Sequence, residues 1–396
     1  MSEYWERKSV REIDVTGKKV IVRVDFNVPL DENKNITNDN RIKQSLPTIE
    51  YLIQHKAKII LLSHLGRPKG KKNSDLSLCP VAQYLDKLLA QKVFFADDCI
   101  GEEAKSLAAS LKEGEILLLE NVRFYAEEEQ NDADFAQKLA ALADIYVNDA
   151  FGTAHRAHAS TSGIAAFLPA VSGLLMEHEL SRLGVALADP QHPFVAIIGG
   201  AKISDKIGVI ESLLHKVDKL LIGGGMAYTF LAADDYHMQK SIVDESKLHW
   251  ARNLMKLPEA DKILLPIDLV AADELAPGAN TKIVEVDSIP EGWEALDVGP
   301  ATREAFEQII KKAKTIVWNG PLGVFEIDDF AQGTLAIADA IARSDAYSIV
   351  GGGDSVAAIH KAKVEEHIDH ISTGGGASLK FLEGQKLASV VALDCK

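Results

Sequence analysis

Short runs of β-branched and aliphatic residues alternate with helix-period stretches from one end of this chain to the other, and nothing else in it constrains the fold as tightly. In the first half the runs are KVIVRVDF (19–26), AKIILLSH (57–64), KVFFADD (92–98), EILLLENV (115–122) and DIYVND (144–149). In the second they are PFVAIIGG (193–200), VDKLLIGGG (217–225), ADKILLPID (260–268), AKTIVWNGP (313–321), DAYSIVGGG (345–353) and EHIDHISTGGG (366–376). Between them lie segments such as RIKQSLPTIEYLIQH, whose apolar residues recur near three- and four-residue spacing, the period of a helix with one buried face. A strand that is apolar on both faces must be covered on both, so this alternation predicts parallel sheets with helices on either side. A chain of 396 residues also exceeds what one hydrophobic core normally serves. The expected fold class is therefore α/β, with two doubly wound, Rossmann-like parallel-sheet domains and a cleft between them. GLLMEHELSRLGVALA (173–188) reads as one interdomain helix, stopped by the two prolines of DPQHP (189–193).

Composition narrows the function. No apolar run reaches the roughly 18 residues of a membrane-spanning helix, and the charged start MSEYWERKSVREID lacks a signal stretch. No membrane partner and a cytoplasmic location are expected. Cys79, Cys99 and Cys395 are an odd number without paired short spacing, which suggests neither a disulfide framework nor a zinc site. A net charge of −15 argues against nucleic acid as a partner. Yet of only 11 arginines, eight fall within the first 182 residues. An acidic chain that concentrates guanidinium groups in one half uses them locally, for carboxylate or phosphate recognition.

In open parallel sheets, ligands bind just past the carboxyl ends of the strands. The second half places glycine clusters there four times: Gly199-Gly200, Gly223-Gly224-Gly225, Gly351-Gly352-Gly353 and Gly374-Gly375-Gly376. Any one could be a tight turn, but four along one sheet edge point to a nucleotide held by backbone N–H groups and helix N-termini. No G-x-x-x-x-G-K-[ST] loop occurs and no cluster opens a G-x-G-x-x-G, which disfavours P-loop kinases and Rossmann dehydrogenases. GGAKISDK sets Lys202 and Lys206 four apart, expected on one face of a helix's first turns, where an anion would offset their conflict with the helix dipole. In GGGDSV, Asp354 is an N-cap or a magnesium ligand. WNGPLGVFE, with Trp318, Asn319, Pro321 and Glu326, could line a nucleoside and bind ribose hydroxyls, or be only a turn.

The first half delivers arginine or histidine to four strand ends: Arg23, Asp25 and Asn27; Ser63, His64 and Arg67; Arg123; and His155, Arg156 and His158. Each alone is ordinary, and the HxxH of His155 and His158 lacks an evident third metal ligand. Their repetition along one edge favours a pocket for a small polyanion.

Taken together, these segments resemble phosphoglycerate kinase. The matching stretches are RVDFNVP (23–29), SHLGRP (63–68), ENVRFYAEEE (120–129), NDAFGTAHRAHAST (148–161), GGAKISDKI (199–207), LIGGGMAYTF (221–230), VWNGPLGVFE (317–326), GGGDS (351–355) and STGGGASLKFLEG (372–384). They span essentially the whole chain in order. The resemblance implies that Asp25, Asn27, Arg41, His64, Arg67, Arg123 and Arg156 bind phosphoglycerate. It implies that Lys202, Lys206, Glu326 and the loop Gly351, Gly352, Gly353, Asp354 and Ser355 bind ADP or ATP, with Asp354 holding Mg2+ and with Gly223, Gly224 and Asn319 along the adenosine. It assigns catalysis to Arg41, Lys206 and the helix start at Gly375 and Gly376. Its domain bounds are 1–172 for phosphoglycerate, 173–189 for the interdomain helix and hinge, 190–380 for the nucleotide, and 381–396 for a segment returning to the first domain. Ser355 stands where many relatives carry Thr, Ala295 replaces a glycine near the adenine pocket, and QKLASVVAL (385–393) lacks the familiar Leu-Pro-Gly.

The implied reaction is reversible, Mg-dependent transfer of a phosphoryl group between 1,3-bisphosphoglycerate and ADP, giving 3-phosphoglycerate and ATP. Carboxylate and phosphate oxygens are already nucleophiles at neutral pH. In-line positioning, charge stabilisation and domain closure would then suffice without a general base or a covalent phosphoenzyme. A monomer is expected. The competing readings are an NAD-dependent dehydrogenase and a catalytically inactive two-domain protein that binds anions and nucleotides.

Overall fold

Strand β1 (Lys19–Arg23) turns Val20 and Val22 into one hydrophobic core and Ile21 into another. In β2 (Lys58–Leu62) Ile59 and Leu61 join the first core, Ile60 and Leu62 the second. Two cores on opposite faces are what continuous apolar strands require, because each side chain alternates across the sheet. The computed structural model describes residues 4–89 and 91–396. Within it, β3 (Val93–Ala96), β4 (Ile116–Leu119), β5 (Ile145–Asn148) and β6 (Ala170–Ser172) complete a parallel sheet in the order β3-β4-β2-β1-β5-β6.

The second parallel sheet is built from β7 (Phe194–Ile198), β8 (Lys219–Ile222), β9 (Ile263–Leu264), β13 (Thr315–Asn319), β14 (Tyr347–Gly351) and β15 (His370–Ile371), in the order β15-β14-β13-β7-β8-β9. A third sheet, unforeseen in the reading above, pairs β10 (Asp268–Ala272) antiparallel with β11 (Thr281–Glu285) and β12 (Glu294–Val298). The fold class is therefore α/β with two parallel sheets, plus an antiparallel appendage inserted before β13.

Strand lengths also need correction. The run at 260–268 is a two-residue strand, Ile263–Leu264, preceded by a 3-10 turn Pro258–Lys262, and the run at 366–376 pairs only over His370–Ile371. The polar ends of the other runs lie outside the strands, since β1 stops at Arg23 where its neighbours stop at Leu62 and Asn148. Those ends are the loops that carry the chemistry.

The chain divides into two compact units, Met1–Ser181 with Lys386–Lys396, and Arg182–Gln385. The first boundary falls inside the helix Leu174–Ala188. In the first unit the C-terminal segment packs beside the N-terminal one: Lys8 N–H donates to the Asp394 carbonyl (3.0 Å) and Asp394 N–H to that of Ala170 (2.8 Å). No helix among the described residues is long and apolar enough to cross a membrane.

Asp149, just past β5, is wholly buried and receives the N–H groups of Leu175 (2.9 Å) and Met176 (3.3 Å) on Oδ1, which fixes the start of Leu174–Ala188. Burial raises its pKa to about 7 against the Thr48, Met176 and Leu175 hydrogen bonds, and burial does the same to Asp297 on β12. Both folded pKa values lie above the unfolded one, so the folded state keeps protons the unfolded state releases. Stability is full below about pH 4 in this respect and is lost as pH rises towards 7. Asp149→Asn, which keeps the Oδ1 acceptor, should flatten this decline by on the order of 1–3 kcal/mol in denaturant titrations from about pH 5 to 8. A variant that declines as steeply as the parent would show that Asp149 is not the source.

Candidate functional site

In the first sheet the chain runs outward from β1 to β2 and later returns to the other side of β1 with β5. Such a reversal opens a crevice at the carboxyl ends of the central strands. Arg23 ends β1 there, opposite Asn148, and is completely buried. Its Nε donates to Ser160 Oγ (2.9 Å), Nη1 donates to the Val24 carbonyl, and Nη2 lies 3.1 Å from His64 Nδ1. Ser160 in turn donates through Oγ (2.7 Å) and N–H (2.8 Å) to the two oxygens of Glu128, also fully buried. Burial raises the Glu128 pKa, and the Arg23 charge opposes that rise.

Around this pair stand the other arginines. Arg41, on the helix Asn40–Gln54, donates from Nη1 to Asp25 Oδ2 at 2.6 Å. Arg123 donates from Nη1 to the Gly66 carbonyl (2.9 Å) and its Nε is 3.4 Å from Glu129, while Nη2 is buried with no partner. Burial and the neighbouring Arg156 lower its pKa to about 10, against the pull of Glu129. Asn27 Oδ1 accepts from Gly66 N–H (2.9 Å), so one loop holds the other. Arg67 follows that glycine and is exposed, and Arg156 is half-buried with Nε 3.3 Å from His155 Nε2. His64 is pushed well below its ordinary pKa, first by burial and then by Arg23, Arg123, Arg156 and Arg41. All seven first-half residues expected at the anion site thus belong to the strand-end loops or the adjoining helix, and six of them share hydrogen bonds or electrostatic coupling within the cluster.

The second sheet reverses in the same manner, with β7 between β8 and β13. Its glycines divide into two kinds. A side chain on Gly199 would overlap the Pro321 carbonyl, one on Gly320 the Gly199 carbonyl, and one on Gly224 would approach Gly200 and Pro321 within 2.9 Å. Gly223 would meet Leu322. These let the loops after β7, β8 and β13 interlock, tied by Gly200 N–H to the Pro321 carbonyl (2.9 Å) and Gly224 N–H to that of Leu322 (3.0 Å). By contrast nothing lies within 4 Å of an added side chain on Gly200, Gly353 or Gly375, so there the backbone faces open space.

Several second-half expectations change. Lys202 and Lys206 do not share a helix's first turns: a 3-10 turn, Ile203–Asp205, separates them, and Lys206 precedes the helix Ile207–Leu214 in a non-helical conformation. Trp318 is buried in the core with Nε1 donating to the Gly320 carbonyl (2.8 Å), and so cannot line a nucleoside. Ser355 is buried, its Oγ accepting from Gly320 N–H (2.6 Å), and Asn319 Nδ2 donates to the Gly351 carbonyl (2.7 Å) with Oδ1 buried and unpartnered. Asp354, in the first turn of Gly353–Ala362, and Glu326 are exposed. Gly376 opens the short helix Gly376–Leu382. Burial lowers Lys206 to about 8, with the charges of Asp354 and Asp205 pulling the other way.

Ser160 and Glu128 escaped the sequence reading. Glu128 is the buried middle member of an acidic triplet whose neighbours are exposed, and only its tertiary contact with Ser160 tells it apart.

Lys206 should be modified by a small amine-directed reagent with a rate that levels off near pH 8, followed by mass spectrometry. A rate still climbing well beyond that, as for an unperturbed lysine, would show that the side chain is not desolvated.

The model of the family described as phosphoglycerate kinase matches residues 10–385. The chain is 56% identical over 387 residues to the phosphoglycerate kinase of Moorella thermoacetica, covering 97% of this chain and 98% of that protein. Among solved structures, that of phosphoglycerate kinase from Coxiella burnetii superimposes with a TM-score of 0.90 at 43% identity, and the Pyrococcus horikoshii OT3 enzyme with 0.85 at 34%. Each comparison covers 98% of both chains.

Proposed function

This chain belongs to the phosphoglycerate kinase family and is a phosphotransferase, and we propose that it divides the work between its two units, one binding the phosphoglycerate and the other the nucleotide. The reading of an inactive binding protein finds no support. The observation that carries the division is the buried, unpartnered Nη2 of Arg123 within a cluster of guanidinium groups. An unsatisfied buried donor is costly, and a phosphate or carboxylate oxygen would satisfy it. Asp25, Asn27, Arg41, His64, Arg67, Arg123 and Arg156 are the groups for the phosphoglycerate. Lys202, Lys206, Glu326, Gly223, Gly224, Asn319 and the loop Gly351–Ser355 are those for ADP or ATP.

Asp354 is the residue that would hold Mg2+. It is an exposed carboxylate at a helix start, electrostatically coupled to Lys206, and magnesium commonly takes one or two carboxylates together with substrate phosphates. When bound, the ion neutralises phosphate charge. Lys206, the open backbone at Gly375 and the helix start at Gly376 orient the nucleotide phosphates, while Arg41 serves the transferring group. Arg41 is free to serve because only one of its nitrogens is tied, to Asp25. The attacking carboxylate or phosphate oxygen needs no base, so transfer is direct, and closure of the two units would bring donor to acceptor and exclude water. We further propose a cytoplasmic monomer that binds neither nucleic acid nor membrane, a reading consistent with its net charge of −15.

The test is a coupled assay with 3-phosphoglycerate, ATP and magnesium, following 1,3-bisphosphoglycerate through added glyceraldehyde-3-phosphate dehydrogenase. Magnesium-dependent turnover is expected, with kcat about 100-fold or more lower in Arg41→Ala and little change in nucleotide KM. Turnover that survives the substitution would remove Arg41 from the transferring group. Asp354→Ala should shift the magnesium dependence to higher concentration, and an unchanged dependence would assign the ion elsewhere.

A further inference from the structure

Arg23 stands among the strand-end residues of the expected anion pocket but outside the set that the family resemblance assigns to phosphoglycerate. It is wholly buried and uses all three nitrogens: Nε on Ser160, Nη1 on the Val24 carbonyl and Nη2 on His64 Nδ1. A guanidinium carries donors and no acceptor. His64 Nδ1 must therefore accept, so it carries no proton, and the single imidazole proton sits on Nε2. No protein group engages Nε2 among the described residues.

We propose that Arg23 is a positioning residue that locks His64 as a neutral Nε2–H donor for the anionic substrate, with Glu128, bridged through Ser160, holding Arg23 in place. Resting on the phosphoglycerate reading above, it adds a tautomer and a support for one member of that pocket. Its logic is electrostatic. His64 is faced by Arg23 from β1, Arg41 from its helix, Arg123 from the turn after β4 and Arg156 from the turn after β5, with Asp25 Oδ1 3.9 Å from Nδ1 as the nearest carboxylate. A fifth cation among four guanidiniums would be strongly disfavoured, whereas a neutral imidazole adds a directed donor and no repulsion. Glu128 is the matching counter-charge: its two oxygens hold Ser160 from both N–H and Oγ, and the same Oγ receives Arg23 Nε. His158 faces Glu128 as well, at 3.8 Å from Oε1. Burial and the neighbouring arginines lower His158 to about 4, so at neutral pH it leaves the Glu128 charge to Arg23.

The experiment is nitrogen NMR of imidazole-labelled, ligand-free full-length protein, with His64 assigned through His64→Gln. A pyridine-type Nδ1 and a pyrrole-type Nε2, unchanged from about pH 8 to 5 across the ordinary histidine range, are expected. A pyrrole-type Nδ1, or titration near the ordinary value, would overturn the proposal on the parent protein alone. The double variant Arg23→Met/Glu128→Gln removes the buried pair without leaving a lone charge. In it the His64 nitrogens should move towards a mixture of the two tautomers, because Nδ1 has lost its donor while burial and Arg41, Arg123 and Arg156 still disfavour a second proton. The KM for 3-phosphoglycerate should rise about tenfold, or about 1.4 kcal/mol, with kcat much less affected. His64 signals unmoved in the folded double variant would reduce Arg23 and Glu128 to a structural pair. Because the NMR needs no substrate, a protein that shows the lock but no turnover would count against the kinase reading and leave the lock standing.

Discussion

Gathering cations of like sign at one strand edge is the constraint on which the first unit is arranged. Four guanidinium groups act on one buried histidine, and their mutual repulsion is answered locally by three carboxylates used in three different ways. Asp25 takes a direct 2.6 Å bond from Arg41, Glu129 stands 3.4 Å from Arg123, and Glu128 acts on Arg23 through Ser160. The pairing is incomplete, since Arg123 keeps a buried nitrogen without a partner. A fully neutralised cluster would be more stable and less useful, because an anionic ligand would find no unmatched donor to satisfy.

The sheets supply the place for this. In both, the strand order reverses about a central pair, β1 with β5 and β7 with β13, so the loops beyond those strands diverge and leave a crevice. What differs is how each crevice is finished. In the first unit side chains fill it. In the second, glycines bring backbone against backbone around Gly199, Gly224 and Gly320, and that interlock presents the open positions Gly200, Gly353 and Gly375. On the proposed reading, charge recognition would fall to guanidinium forks in one unit and to backbone N–H groups with the desolvated Lys206 in the other.

Which parts were legible in the sequence follows from how local their causes are. Continuous apolar runs between helix-period segments fix parallel strands because burial on both faces leaves a local mark, and every such run contains a strand. The antiparallel appendage left no comparable mark. TKIVE of β11 is exposed along most of its length, so its pairing with β10 is visible only in three dimensions. Arginines and glycines at strand ends could be placed by position alone. The roles of Trp318 and Ser355 could not, because both look like loop chemistry in sequence and are consumed by packing: one fills the core beneath Gly320 and the other ties Gly320 to the loop after β14. Lys206 was wrongly seated, since a 3-10 turn interrupts the helix that its spacing from Lys202 suggested.

The histidine in the arginine cluster shows why the mixture of residue types matters. Replacing it with another arginine or lysine would add charge where four already repel, and replacing it with an apolar residue would leave Arg23 Nη2 without its acceptor. Asparagine or glutamine could accept and donate, but neither has a rigid ring that fixes the direction of the donor relative to the acceptor. Imidazole accepts on one side and donates on the other while remaining uncharged, provided its neighbours forbid the second proton. The arginines therefore act in two ways on the proposed reading: they would supply the charge that attracts an anion, and together with burial they disfavour a second proton on the one non-cationic donor among them. The buried Glu128, bridged through Ser160, is the counter-charge set beside the one arginine that lies wholly inside.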